Sequence, residues 1–526
     1  MSGTRHSRLL SLAVAIVALS CGSSGGSITP NTQGWWRDKV VYELFVRSFA
    51  DSNGDGVGDL PGVTAHLDDL HDLGVDAVWL TPIFPSPSYH GYDVSDYRAV
   101  NPDFGTLADY DALVAAAHQR GMKVILDMVL NHSSSQHPWF VNARQGADAK
   151  YRGYYNWSAT DLGWRKPWDQ SDAWYAAGGA FYYGIFCPCM PDLNLRNPAV
   201  EQELTSTMQF WLLRGTDGFR LDAVRYYLES PTGQLADQPE THALLRRVRA
   251  SLQQQHPDAL LVAEAWASAD IAASYYGQGD EVQLGFAFDA ADGIKSSIRG
   301  GVKDDAVNAL VRAQSPLAGK DLGFLAPFLA NHDMRRTLRD LGGDPAQARV
   351  AAATLFALPG TPFVYYGEEI GMVGGDGSDD RNKRTAMHWT AASPGYGFTS
   401  GTPWNWSPET VDVKSQRAEP QSLWSEYQTL IALRHAQAAL TSGDMTFPPS
   451  SSTAPGLFAL LRTSGAKRVL FVANFGASSA PSFDVTAPGA PALLAQEGLS
   501  GSPSASSGKI TFAGLGPRGF AYVSLN

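Results

Sequence analysis

Val124-Ile125-Leu126-Asp127-Met128-Val129-Leu130, running straight into Asn131-His132, is the stretch from which the fold of this chain is read. A strand with one wet face alternates apolar and polar residues, whereas a strand covered on both faces does not. This run does not alternate, so it reads as a strand buried on both sides with polar groups gathered at its end. The same pattern returns at residues 40–46, 77–82, 218–223, 260–266, 285–289, 326–332 and 362–367, each bounded by Gly, Pro or Asp. Between them lie amphipathic stretches such as 63–73, with Leu67, Leu70 and Leu73 at helical spacing, and 107–118. Strands of this kind alternating with helices make a parallel sheet covered on both faces. Eight such units in one run predict an α/β fold of the (β/α)8 TIM-barrel type. A doubly wound sheet is the alternative, and the strand count and the placement of polar residues favour the barrel.

Working outward, the spacing roughly doubles between the third run and the fourth. Residues 132–197 are rich in Trp, Tyr, Gly and Asp with weak periodicity, and they read as a subdomain inserted after strand 3. The barrel then occupies 35–131 and 198–440, closing with a helix over Leu423–Ala436. From 441 to 526 short strands at 457–462, 468–474, 509–512 and 520–525, separated by Ser/Pro/Gly turns, predict a C-terminal antiparallel β-sandwich.

Residues 1–34 read as a signal peptide and tether. Arg5 and Arg8 precede an apolar run at 9–19 that is too short to span a bilayer. Ala18-Leu19-Ser20-Cys21 followed by a Gly/Ser stretch resembles a bacterial lipoprotein box, which implies export and lipid attachment at Cys21. Ordinary cleavage nearby is the alternative. Cys187 and Cys189 can bridge across Pro188, but a link between residues two apart is strained and uncommon. They also lack the further ligands of a zinc site. They read as free or locally paired thiols near a loop tip.

The chain of 526 residues is 44% hydrophobic, so it can bury a sizeable core, and its net charge is −12 with no basic run. Nucleic acid, which needs a basic stripe, is therefore not an expected partner. The aromatic share of 11% suits sugar rings and large cores equally. A monomer is the expected state, though no residue pattern bears on it.

The chemistry lies at the strand ends, where a charge is costly to bury without a partner or a task. The third run gives Asp127, Asn131 and His132, the fourth Arg220 and Asp222, the fifth Glu264, and the seventh Asn331, His332 and Asp333. Tyr92 and Asp93 follow the second. On a barrel these converge at the C-terminal face. There is no phosphate loop, no nucleophile elbow and no catalytic zinc spacing. Paired carboxylates in such a setting point to glycoside chemistry. Arg220, two residues before Asp222 and on the same face, is expected to keep it ionised. The apolar frame of Glu264, with Trp266 close by, is expected to raise its pKa as a proton donor requires.

These residues resemble the α-amylase family of retaining glycoside hydrolases over about residues 35–526. Asp127-Met128-Val129-Leu130-Asn131-His132, Gly218-Phe219-Arg220-Leu221-Asp222-Ala223, Glu264, Asn331-His332-Asp333 and Met190-Pro191-Asp192-Leu193-Asn194 match its motifs in order. The resemblance implies Asp222 as nucleophile, Glu264 as acid/base and Asp333 as the group steadying the strained sugar. Tyr92, Asp93, His132, Arg220 and His332 would bind the substrate, an α-glucan or malto-oligosaccharide.

A second constellation, Asp51-Ser52-Asn53-Gly54-Asp55-Gly56-Val57-Gly58-Asp59, offers oxygens at alternate positions. It suits Ca²⁺ held by Asp51, Asn53, Asp55, Val57 and Asp59, although position 62 is Gly where an EF-hand has its closing Glu. Arg225 and Tyr226 stand where many α-amylases carry Lys-His, which weakens the case for a further calcium near Asn131. The expected activity is endo-hydrolysis of α-1,4 bonds, favoured by Ala223 and by the 190–194 motif. The alternative is an exo-acting α-glucosidase or oligo-1,6-glucosidase, suggested by the loop at 379–389, where an Arg paired with Asp93 would wall off the non-reducing end. A transglycosylating relative such as a trehalose synthase is a third reading, and a non-catalytic sugar-binding protein a fourth that the presence of both carboxyls disfavours.

Overall fold

The computed structural model describes residues 34–393, 395–407 and 409–526. Export and lipidation, read from residues 1–33, lie outside them. All eight expected strands form: β1 (Val41–Leu44), β2 (Ala77–Leu80), β3 (Lys123–Met128), β4 (Gly218–Leu221), β5 (Leu260–Ala263), β6 (Leu284–Phe286), β7 (Leu325–Ala326) and β8 (Phe363–Tyr365). They pair in parallel in chain order, with β8 returning to β1. The ring closes between β7 and β8 through Thr361 N–H to the Leu325 carbonyl at 2.9 Å and Phe363 N–H to the Pro327 carbonyl at 2.8 Å. The chain is therefore an α/β barrel, not a doubly wound sheet.

The period-two rule decides which side chains enter the barrel. Val41, Ala77, Trp79, Ile125, Leu260 and Val262 fill its interior, while Tyr42, Val78, Val124, Leu126, Phe219 and Leu261 face the helices. Stepping two residues on from the interior set reaches Glu43, Asp127 and Glu264, and from Gly218 it reaches Arg220 and then Asp222. One alternation thus packs the barrel and gathers its charges at the carboxyl end. Gly218 is required here, since a Cβ would stand 2.5 Å from the Leu260 carbonyl.

The strands stop short of the expected ends. Asn131, His132, Asp222, Glu264 and Asp333 all sit in the first residues of the loops, where ladder pairing ends and side chains are free to converge. The helical stretch expected over 63–73 is two helices, Leu60–Ala65 and Leu67–Leu73. The break falls at His66, whose ring stacks on Trp389 at 3.6 Å and bonds Asp69.

Between β3 and β4 a three-stranded antiparallel sheet (Trp157–Ser158, Trp174–Ala177, Ala180–Tyr183) surrounds a small core of Trp174, Tyr183 and Ile185. It returns to the barrel where Leu193 N–H meets the Asn131 carbonyl at 2.9 Å. Cys187 and Cys189 at its tip are disulfide-bonded, so of the two readings left open the local pair is the one formed.

The C-terminal antiparallel sheet has seven strands. The two segments read at 509–512 and 520–525 are halves of one long strand, Lys509–Leu525, which pairs with four others. Three further strands, Ala480–Thr486, Pro491–Leu499 and Asp444–Thr446, were not legible because they are short or largely polar outside their buried positions. Leu457, Leu470, Val472, Ala521 and Val523 build the domain's own core, while Phe458, Leu460, Phe471 and Tyr522 on the opposite face pack on the barrel. Two buried guanidinium groups staple this junction. Arg434 donates to the Phe356, Leu358 and Gly360 carbonyls, and Arg462 to those of Ala357, Gly443 and Asp444.

Candidate active site

The carboxyl end of the barrel holds one charge network organised by Arg220, which is 1% exposed. Its Nη1 donates to both oxygens of Asp127 at 2.8 and 3.0 Å and to Asp222 Oδ1 at 2.8 Å, while Nη2 lies 2.9 Å from Glu264 Oε2. Glu264 Oε2 also accepts the Ala223 N–H at 2.9 Å. That donor is aimed by the left-handed backbone of Ala223, φ 50°, a conformation a small side chain tolerates best outside glycine.

A second network meets the first through Tyr92. Its hydroxyl donates to Asp127 Oδ2 at 3.0 Å and stands 2.7 Å from His332 Nε2. His332 is fully buried, with Nδ1 2.6 Å from Glu43 Oε1 and Nε2 3.0 Å from Asp333 Oδ2. Arg384 completes the group, donating to Asp333 Oδ1 at 2.8 Å, to the His332 carbonyl at 3.0 Å and to the Tyr89 hydroxyl at 3.2 Å.

The protonation states follow from burial and neighbours. Burial would raise Asp333, but His332 and then Arg384 hold it well below the ordinary aspartate range. Burial opposes charge on His332, yet Asp333 and Glu43 push it up to about 10, so the imidazole is a cation. Burial raises Glu264 to about 7, opposed by Arg220 and reinforced by Asp222 and Asp333. Burial likewise raises Asp222, with Arg220 opposing, and Asp127. Burial lowers His132 to about 4, so this ring is neutral. Five carboxyls (Glu43, Asp127, Asp222, Glu264 and Asp333) thus share three cations (Arg220, His332 and Arg384), and one proton on Glu264 halves the excess negative charge.

The carboxyls open into a cavity of about 400 Å³. Asp222, Glu264, Asp333, Tyr92 and His132 line it, so these five expected residues come together. Arg220 and His332 stand behind the wall and act through the groups they hold. Asp93 does not reach the wall: it is 2% exposed and accepts a bond from the Ser86 hydroxyl. Its pairing with the Arg of the 379–389 loop is not formed, because Arg384 is taken by Asp333 and Tyr89. The expected neighbourhood of Glu264 also needs correction. Trp266 is 46% exposed and stacks on Phe288, so burial and the surrounding carboxylates, not this indole, raise the acid. Asp222, for its part, shares Arg220 with two other carboxyls and so is not simply held ionised by it. His90, Phe186, Met190, Asp380 and Arg384 line the cavity without having been singled out as site residues, and Glu43 and Asp127 support it from behind. The period-two alternation that places Asp222 would have found Glu43.

The Asp/Asn/Gly loop at 51–59 folds on itself. Asp51 accepts the N–H groups of Asn53, Gly54 and Gly56 together with the Thr399 hydroxyl. Burial opposes the ionised form, but these bonds outweigh it and hold Asp51 below its usual range. Asn53 and Asp55 each accept the N–H two residues on. Asp59 is buried and caps the helix Leu60–Ala65 through Gly62 N–H while its other oxygen holds Ser52, so it turns away from the loop's mouth. Among the described residues no three His, Cys, Asp or Glu cluster as a metal site. The donors left for a hard cation are Asp51, Asn53, Asp55 and the Val57 carbonyl, an all-oxygen set whose chemistry fits calcium.

The geometry agrees with comparisons to known proteins. The family model described as alpha amylase, catalytic domain, matches residues 43–443. The chain is similar to Alpha-amylase 3 of Dictyoglomus thermophilum, 36% identical over 78% of this chain and 79% of the relative. It is also similar to the oligo-1,6-glucosidase of Halalkalibacterium halodurans, 33% identical over 84% of this chain and 90% of that one. The crystal structure of an alpha-amylase from H. orenii superposes with a TM-score of 0.83 at 32% identity, covering 93% of this chain and 99% of the other. With the barrel, the paired carboxyls and these matches in hand, the chain belongs to the α-amylase family of glycoside hydrolases, family 13.

Proposed function

We propose that the protein is a retaining α-amylase that hydrolyses internal α-1,4-glucosidic bonds of starch-like glucans. The observation that carries this reading is the single guanidinium of Arg220 holding Asp222 at 2.8 Å and Glu264 at 2.9 Å in one cavity. The fork lies between the two carboxyls and draws them together, the arrangement of a nucleophile and an acid, whereas an inverting pair stands apart to admit a water. Glu264, protonated up to about pH 7, gives its proton to the departing oxygen as Asp222 attacks the anomeric carbon. The Glu264 carboxylate then takes a proton from water, which opens the covalent intermediate. Asp333, held anionic by His332 and Arg384, accepts hydroxyls of the distorted ring, and the Tyr92 ring, stacked at 15° on His332, forms its floor.

Internal attack is favoured by the absence of the Asp93–Arg384 pair that would wall off the non-reducing end, in keeping with the α-amylases among the relatives. An exo-acting α-glucosidase is the second reading. Asp380 and Arg384 line the cavity beside Asp333, and Arg384 reaches Tyr89, which makes a wall of a different kind. A time course on soluble starch beside maltose and isomaltose separates the two. Early loss of iodine staining with mixed oligosaccharides supports internal attack, whereas glucose alone, with rapid cleavage of the disaccharides, supports the exo reading.

We further propose calcium at Asp51, Asn53, Asp55 and Val57, where the ion would brace the loop against the 399–404 segment, and export with lipid attachment at Cys21. Cys21→Ser is expected to move the enzyme from the membrane to the soluble fraction, and an unchanged distribution refutes the anchor.

A further inference from the structure

The cavity wall has two chemically different parts. His90, Tyr92, Asp333, Asp380 and Arg384 are polar or charged and belong to the hydrogen-bonded network around Asp333. Phe186, the Cys187–Cys189 disulfide, Met190 and Ala223 offer no charged or strongly hydrogen-bonding side chain. Ala223 is also the residue whose N–H holds Glu264, so the apolar part adjoins the acid that protonates the leaving oxygen.

Phe186 is built into this wall from three directions. Its ring is offset-stacked on Trp168 at 5.5 Å and 19°, and Tyr226, three residues beyond Ala223, meets both rings edge-on at 6.0 and 5.8 Å. Trp168 is 48% exposed, so it continues the aromatic surface from the cavity to solvent. The backbone on either side of the ring is held. Ile185 N–H donates to Asp192 at 3.0 Å, Met190 N–H to the Cys187 carbonyl at 3.0 Å, the Tyr182 hydroxyl to the Pro188 carbonyl at 2.8 Å and Ser135 N–H to the Cys189 carbonyl at 2.8 Å. The disulfide closes the same turn. An aromatic ring held this firmly offers a flat apolar face at little entropic cost, the complement of the C–H face of a pyranose.

We propose that Phe186, backed by Trp168 and Tyr226 and fixed by the Cys187–Cys189 turn, is the platform for the leaving-group sugar and therefore a determinant of which chains are cut. This inference rests on the reading of Asp222 and Glu264 given above. It assigns Phe186 and Trp168 to binding the glucosyl unit beyond the scissile bond, and the disulfide to positioning.

The test compares maltopentaose, which fills the leaving-group side, with α-glucosyl fluoride, whose leaving group is a bare ion. For Phe186→Ala the ratio of kcat/KM on maltopentaose to that on the fluoride is expected to fall about tenfold, the scale of one lost aromatic stack. Trp168→Ala, an exposed substitution with little bearing on folding, is expected to lower the same ratio about threefold. Cys187→Ala/Cys189→Ala is expected to raise KM for maltopentaose with kcat on the fluoride changing far less. In each variant, transfer of the glucosyl-enzyme to added glucose is expected to drop relative to hydrolysis. A ratio unchanged in both Phe186→Ala and Trp168→Ala overturns the platform. Failure of the native enzyme to turn over either substrate overturns instead the reading on which the platform rests.

Discussion

Replacing Arg220 by lysine separates the charge of this residue from its shape. The native guanidinium makes two bonds to Asp127, one to Asp222 and, through its second nitrogen, one to Glu264. A lysine ammonium keeps the charge but is a compact point donor that cannot span the pair as a planar fork does. It is expected to stay with Asp127, which offers two oxygens, and to release Asp222. A hydrogen bond to a charged group contributes about 1.5–3 kcal/mol. At about 1.4 kcal/mol per tenfold, its loss strengthens proton binding at Asp222 by roughly ten- to hundredfold. The sign is fixed by the chemistry: removing a cation raises the pKa, so the nucleophile stays protonated to higher pH. The acidic limb of kcat, which reports groups in the substrate complex, is therefore expected to move up by about one to two pH units. The assay is the pH dependence of kcat on maltopentaose for native enzyme and Arg220→Lys. Removing the charge altogether, as in Arg220→Met, leaves three buried carboxyls unpaired and is expected to cost about 3–5 kcal/mol of stability. An Arg220→Lys enzyme with the native acidic limb and native kcat would refute the claim that the fork sets the proton affinity of Asp222.

The alkaline limb belongs to Glu264. Activity is expected to decline as pH rises through about 7, where this acid loses its proton, and Glu264→Gln is expected to lower kcat on oligosaccharides by about 10²–10⁴-fold and to abolish that limb; persistence of the limb in the residual activity would identify another donor. Away from the site, Glu368 accepts from Thr337 and Tyr427 and Glu369 from Tyr42, and burial raises both to about 7 from an ordinary 4.5. Groups whose folded pKa is raised stabilise the fold fully below the unfolded value, so this contribution is expected to fade as pH rises from 4.5 to about 7. Urea midpoints across that window should change less for Glu368→Gln/Glu369→Gln than for the native protein, and equal slopes would contradict the assignment. Chelation is expected to lower Tm, and Asp51→Ala to remove that response; a metal-loaded native enzyme whose Tm ignores chelator would leave the 51–59 loop as a plain turn.

The barrel was legible because its evidence is local. Each of the eight runs carries its burial on both faces in consecutive residues, and the helix over Leu423–Ala436 carries its own cap at Ser422, whose side chain accepts the Ser425 N–H. Asp222, Glu264 and Asp333 were legible for the same reason: each ends an apolar run that would otherwise have no use for a charge. The C-terminal strands were less so. Pro491–Leu499 is mostly half-exposed and polar, and its place in the sheet comes from pairing with Lys509–Leu525, not from any pattern of its own.

What the sequence determined by itself is the list of groups and their order along the strands, since period-two alternation and apolar runs are properties of neighbours in the chain. The tertiary structure alone decided which partner each charge received. Arg220 and Asp222 are two residues apart, but Glu264 lies 44 residues beyond Arg220 and Glu43 lies 289 before His332, and only ring closure brings them together. Arg384 was free to meet Asp93 or Asp333 as far as the sequence could say. The fold gave it to Asp333 because Asp93 is buried against Ser86, out of reach of the cavity. Electrostatic energy in a buried site depends on distances of a few ångströms and on the loss of water. Those distances are fixed by closure of the barrel and by nothing that a single strand contains.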